Sequence, residues 1–232
     1  MSSAPPKNPI KPTAVPSLMG RDEVLAMPAS NAQEIVIFHS ALGLRPALLR
    51  WAVRLRAAGH VVHTPDLYDG EVFNDRGAAA AKFMQLGFDE ILDRSRRAVV
   101  DLPNAVVYAG FSNGGACAEL LAATRPGAHG AILLHAPLPI RSLGWESWPA
   151  TCPVQVHFAE KDPLRQQPVI DALAARVRGV GARFEQHDYA GAGHHFSDPD
   201  WPGYSAEASE EMFQHVCIFL EGLRPSRAQQ AG

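Results

Sequence analysis

Cysteine is scarce in this chain: only Cys117, Cys152 and Cys217 occur, widely spaced and without a CxxC pair. An odd, dispersed set does not make a disulfide framework and suits reduced thiols in the cytoplasm. A basic surplus is also missing, because 21 Lys and Arg stand against 24 Asp and Glu for a net charge of -3. Nothing is left over to neutralise a phosphate backbone, so no nucleic-acid partner is expected. Long apolar runs are absent too. The longest, residues 35–38 and 131–134, fall far short of the roughly 20 residues a bilayer span needs, so no membrane partner is expected. The first residues, Met-Ser-Ser-Ala-Pro-Pro-Lys-Asn-Pro, hold no apolar signal core, and export is not indicated. No HExxH motif and no Gly-Lys-Ser/Thr or GxGxxG loop occurs, and the ten histidines are scattered with no ligand cluster in view. Metal hydrolysis and nucleotide chemistry therefore lose their usual signatures, and no cofactor is expected.

The chain does have apolar matter in quantity. Hydrophobic residues make up 47% of 232 positions and charged ones 19%, the balance of one well-buried domain. Pro5, Pro6, Pro9, Pro12 and Pro16 mark residues 1–30 as an extended arm, and residues 224–232 read as a frayed tail. Between them, residues 31–223 alternate short apolar strands with amphipathic helices. Strands are predicted at 34–38, 61–63, 105–108, 131–134, 154–158 and 184–189. Helices are predicted from Pro46 to about Gly59, from about 78 to 101 with a break near Gly87, at 114–123, from Pro168, and through Met212 to Leu223. In the first, Leu48, Leu49, Ala52 and Leu55 share the inner face; in the one from Pro168, Val169, Leu173 and Val177 do. Such alternation implies an α/β fold, a mostly parallel sheet flanked by helices on both faces. Chemistry in such sheets gathers at the carboxyl ends of the strands.

Gly110-Phe111-Ser112-Asn113-Gly114 fits G-x-S-x-G between an apolar strand and an amphipathic helix. That context predicts a nucleophile elbow, with Gly110 and Gly114 removing side chains that would clash and Ser112 exposed at a helix N-terminus. A serine hydroxyl needs a base. His194 lies in the small-residue loop Tyr189-Ala-Gly-Ala-Gly-His194 after the last strand, where a loop can deliver an imidazole; its neighbour His195 points elsewhere. The orienting acid should follow an earlier strand, and residues 154–158 run into Ala159-Glu160-Lys161-Asp162-Pro163. Asp162 is preferred over Glu160 because its shorter side chain loses less rotamer freedom. A turn or capping role is the plain alternative for Asp162. The loop His39-Ser40-Ala41-Leu42-Gly43-Leu44 follows the first central strand, so the Ala41 and Asn113 N–H groups are the candidate oxyanion donors. His39 and Ser40 either line the site or serve the loop's own hydrogen bonding. His60 and His63 read as packing or surface residues. Trp145 and Trp148 either wall a pocket or sit half-buried at the surface.

Taken together, these segments resemble the dienelactone hydrolase family from about Glu34 to Leu223. The likeness rests on His39-Ser-Ala-Leu-Gly-Leu-Arg45, Pro65-Asp-Leu-Tyr68, Gly110 to Gly115, Glu160-Lys-Asp162-Pro and Tyr189-Ala-Gly-Ala-Gly-His194. The resemblance implies a compact α/β-hydrolase without a large lid and carries Ser112, Asp162 and His194 over as the triad. This chain departs from it in three places. Members that open dienelactones use a cysteine nucleophile, where Ser112 stands here. They have an acidic residue at the position of Ser40. They also place an arginine shortly after the catalytic histidine, where this chain has His195, Phe196, Ser197 and Asp198. An ordinary Ser–His–Asp scheme fits these residues better than thiol activation.

The expected activity is cleavage of a small carboxylic ester, thioester or lactone by a monomer or small homo-oligomer. A binding or regulatory protein on the same fold is the alternative from another class, and amide or peptide hydrolysis uses the same parts. Arg45 is expected as an exposed helix-start residue, with partial service as a substrate cation from the oxyanion loop as the alternative. Neutral short-acyl substrates are then preferred, since an anionic dienelactone needs a paired cation.

Overall fold

The computed structural model describes residues 31–136 and 140–223. The arm at 1–30, the tail at 224–232 and Pro137 lie outside the described residues. In chain order the elements are β1 (Glu34–Phe38), α1 (Pro46–Ala57), β2 (Val61–His63), α2 (Arg76–Leu86), α3 (Phe88–Ala98), β3 (Val106–Phe111) and α4 (Gly114–Thr124). Then come β4 (Gly130–Leu134), α5 (Ile140–Leu143), β5 (Val154–Ala159), α6 (Gln167–Gly179), β6 (Phe184–Tyr189) and α7 (Ala206–Glu221).

Alternation along the central strands decides which face meets which helices. Ile35 and Ile37 of β1 and Val107 and Ala109 of β3 pack with Leu48, Trp51 and Leu55 of α1 and Met212, Val216 and Phe219 of α7. Val36, Phe38, Val106 and Tyr108 turn the other way, onto Ile91 and Leu92 of α3, Leu120 and Leu121 of α4, and the α6 residues Leu173 and Val177. Burial on both faces explains why these strands read as continuous apolar runs.

The expected α/β architecture is what the chain adopts: six strands, every pairing parallel, in the order β2-β1-β3-β4-β5-β6. From β1 the chain steps outward to β2, then returns to the other side of β1 as β3. The crevice beyond the carboxyl ends of β1 and β3 is therefore the switch point where such sheets bind ligands. Among the described residues no helix is long and apolar enough to cross a membrane.

Some local expectations change. Leu49 is exposed and Trp51 takes its place on the buried face of α1. In α6 the inner residues are Ile170, Leu173, Ala174 and Val177, with Val169 only half-buried. Trp145 and Trp148 do not sit half-buried at the surface. Both are buried, edge-to-face at 5.4 Å, with Nε1–H groups donating to Glu119 Oε1 (3.1 Å) and the Cys152 carbonyl (2.6 Å). Indole nitrogens need partners when buried, and the loop supplies them.

Candidate active site

Ser112 sits directly after β3 with φ of 50°, in the left-handed region that a side chain resists. The turn survives because its neighbours lack side chains. A Cβ on Gly110 would lie 2.1 Å from the Gly114 carbonyl oxygen, and one on Gly114 would lie 2.5 Å from the Phe38 and His39 carbonyl oxygens. The second contact also seats the start of α4 against the end of β1, where the loop carrying Ala41 begins. The Ser112 N–H donates to the Leu134 carbonyl at 2.7 Å, pinning the turn to β4.

His194 and Asp162 reach this turn from loops far apart in sequence. His194 Nδ1–H donates to Asp162 Oδ2 at 2.7 Å, which leaves the Nε2 lone pair facing Ser112 Oγ at 3.0 Å. The imidazole and carboxylate side chains are 2% and 0% exposed, while Ser112 is only half-buried. The other Asp162 oxygen accepts the Leu164 N–H at 2.9 Å, so the carboxylate cannot swing freely. Glu160 is exposed beside it and makes no side-chain bond among the described residues. His195, also with positive φ, turns from Ser112 to lie edge-on to Trp201 at 5.6 Å. Burial pushes its pKa down to about 2, helped by neighbouring His194, Arg76 and Arg45.

The Ala41 and Asn113 N–H groups meet no acceptor among the described residues. His39 and Ser40 serve the loop itself: His39 Nδ1 donates to the Ser40 carbonyl (2.7 Å), its Nε2 accepts from Leu67 N–H (2.9 Å), and Ser40 Oγ accepts from Leu42 N–H (3.2 Å). Burial lowers the His39 pKa and keeps the ring in that neutral, two-sided role. His60 likewise packs, its Nδ1 accepting the Gln33 N–H at 3.0 Å.

Two groups escaped the sequence reading. Arg45 is not an exposed helix-start residue but 6% exposed, with Nε donating to Asp198 Oδ2 (2.6 Å) and Nη1 to the Phe73 carbonyl (2.8 Å) and Asn74 Oδ1 (2.6 Å). It lines a cleft of about 350 Å³ with Ser40, Trp51, Phe111, His195 and Asp198. The other is His135, at the carboxyl end of β4 and 4% exposed. The expectation of no ligand cluster fails here, since one donor atom each of His135, Asp162 and His194 lie within 4.8 Å of one another. Position at a strand's carboxyl end was the signal that could have singled His135 out.

The profile of the dienelactone hydrolase family matches residues 22–223. No curated protein sequence matches the chain. Among solved structures, a dienelactone hydrolase-like promiscuous phosphotriesterase from metagenomic libraries is similar. It shares 22% identity over 82% of this chain and 86% of its own, with a TM-score of 0.68. Esterase 2 of Thermogutta terrifontis, phosphoramylated by tabun, is similar at 18% identity over 84% and 85%, with a TM-score of 0.53. The same esterase with propionate bound gives 17% and 0.51 over the same shares. At such identities the likeness concerns the fold. The family profile spans most of the chain, and with it the chain belongs to the dienelactone hydrolase family.

Proposed function

We propose that the chain hydrolyses small carboxylic esters, thioesters or lactones through Ser112, His194 and Asp162, without a cofactor. The observation that carries the reading is the pair of hydrogen bonds linking Ser112 Oγ to His194 Nε2 at 3.0 Å and His194 Nδ1 to Asp162 at 2.7 Å. His194 Nε2 takes the hydroxyl proton as Oγ attacks the substrate carbonyl. Asp162 holds the tautomer and offsets the charge of the imidazolium that forms. The carbonyl oxygen becomes an oxyanion that the Ala41 and Asn113 N–H groups stabilise. Collapse of the tetrahedral adduct breaks the bond to the leaving alcohol, thiol or hydroxyl arm, which receives the proton from His194 Nε2. A water then repeats the sequence on the acyl-enzyme, giving back the acid and free Ser112.

Neutral acyl groups suit this site better than an anionic dienelactone. The Arg45 guanidinium, the cation of the adjoining cleft, is already committed to Asp198. A substrate carboxylate entering there loses its hydration without gaining a cation. We further place the protein in the cytoplasm, where Cys117, Cys152 and Cys217 stay as thiols. It acts there as one domain over residues 31–223, in a monomer or small homo-oligomer with no nucleic-acid partner.

A fluorophosphonate probe tests the reading directly. It should label wild-type protein at Ser112 and leave Ser112→Ala unlabelled. Turnover of p-nitrophenyl acetate should fall by about 10⁴–10⁶ in that variant. Retention of more than about a tenth of the rate, or label on another residue, refutes the assignment. A kcat/KM for dienelactone above that for p-nitrophenyl acetate and butyrate refutes the substrate class.

A further inference from the structure

Beside the triad, His135 is a buried titratable group without a task. His135 directly follows β4 with φ of 59°, a left-handed conformation uncommon for a residue other than glycine. Its ring lies 5.4 Å from that of His194 and edge-on to Phe196 at 4.8 Å, and its Nε2 is 3.4 Å from Ser197 Oγ. Its Nδ1 is buried and has no hydrogen-bond partner among the described residues. An unpartnered buried nitrogen is a cost that packing alone does not account for.

We propose that His135, Asp162 and His194 form a binding site for a zinc-class divalent cation, and that filling it switches the hydrolase off. Two imidazoles and one carboxylate are the ligand set that zinc and cobalt accept readily. Metal–ligand bonds of about 2.0–2.2 Å in a tetrahedral site put neighbouring donors about 3.4 Å apart. The three donor atoms already lie within 4.8 Å of each other, so side-chain adjustment closes the set.

The consequence for catalysis follows from the two-nitrogen chemistry of imidazole. A cation on the lone pair of His194 Nδ1 shifts that nitrogen's proton to Nε2, with no proton released. Nε2 then carries a hydrogen and has no lone pair to accept the proton of Ser112 Oγ. Asp162 exchanges its hydrogen bond for a metal bond and no longer orients the base. Because all three donors are buried, onset should be slow compared with a surface ion. The loss of activity rests on the Ser–His–Asp reading; the binding itself does not.

The test has two arms. In the first, Co²⁺ is added to Ser112→Ala protein, and binding is followed by calorimetry and by the visible absorption of tetrahedral cobalt. One ion per chain is expected, weakened at least about tenfold in His135→Phe and in His135→Asn, a residue that tolerates the left-handed backbone. In the second, wild-type turnover of p-nitrophenyl acetate is titrated with Zn²⁺. Slow, EDTA-reversible inhibition is expected. Each His135 variant, measured against its own uninhibited rate, should need at least about tenfold more zinc. The proposal is overturned if wild type binds no cobalt, or if both variants bind and are inhibited as wild type is, since the ion then sits elsewhere. If Ser112→Ala still turns over ester, the triad reading fails while the cobalt arm continues to decide the site.

Discussion

Replacing Arg45 by methionine should damage stability and turnover together, because one guanidinium ties three loops. Its Nε donates to Asp198 in the segment that follows His194, its Nη1 to Phe73 and Asn74 in the segment before α2, and its Nη2 to the Asp200 carbonyl at 3.4 Å. The residue itself ends the loop that carries Ala41. The paired side chains are only 7% and 10% exposed, so the small value of a surface ion pair does not apply. Removing one partner of a buried pair leaves an uncompensated charge and costs about 3–5 kcal/mol. Asp198 keeps only its bond from the Asp200 N–H at 2.9 Å. The same loss frees the loop that positions His194, and a misplacement of about 1 Å costs on the order of 100-fold in rate. Urea unfolding and the kcat and KM for p-nitrophenyl acetate measure the two effects. The double variant Arg45→Met with Asp198→Leu should recover most of the stability, because it removes both charges. A loss below about 1 kcal/mol in Arg45→Met refutes the reasoning. So does a change confined to KM for anionic esters, which would make Arg45 a substrate cation instead of a clamp.

Asp162→Asn should lower kcat by about 10⁴ through the wrong imidazole tautomer, whereas Glu160→Gln should stay within a few-fold; the reverse ranking assigns the acid to Glu160. Gly114→Ala should cost at least about 1–3 kcal/mol in chemical denaturation, since its Cβ meets two carbonyl oxygens of β1 and its outlet at 2.5 Å, and an unchanged midpoint refutes that packing. Acid should destabilise the fold. Burial lowers the folded-state pKa of His39, His60, His135, His157, His187 and His195 below 6.5, so the unfolded chain binds more protons as pH falls. The contribution is fully present above about pH 6.5 and is lost below it, by up to about 1.4 kcal/mol per pH unit for each of the enclosed His135, His157 and His195. Urea midpoints at pH 7.5 and pH 5 check this, and equal midpoints contradict it.

What the sequence disclosed depended on the range of the interaction. The six strands and the helices other than α5 were legible because alternation and the 3.6-residue period are local, and Gly87 marked the break between α2 and α3 by its own chemistry, with φ of 80°. The elbow was legible for the same reason: Gly110, Ser112 and Gly114 lie within five residues, and their backbone demand is met inside that window. Placing His194 and Asp162 needed only the rule that loops at strand carboxyl ends face one crevice. Arg45 was misread because its partner is 153 residues away, and nothing in the period of α1 distinguishes an arginine facing water from one facing Asp198. The indoles of Trp145 and Trp148 were misplaced likewise, since a polar, proline-bounded loop gives no sign that Glu119 waits beneath it.

His135 is the case where strand order, had it been known, would have sufficed. Ser112 directly follows β3 and Asp162 follows β5, with β4 between them in the sheet. Strands lie about 4.8 Å apart, so the strand ends that carry the two residues stand about two spacings, or 9.6 Å, apart across β4. That gap accommodates an imidazole with a hydrogen bond at each end, which is why the base arrives from β6 and lies over β4. Whatever side chain ends β4 must then sit under the base. A small or apolar residue there would only support the ring. A neutral histidine supplies a lone pair to the same space, and so gives a proton relay the donor set of a cation site.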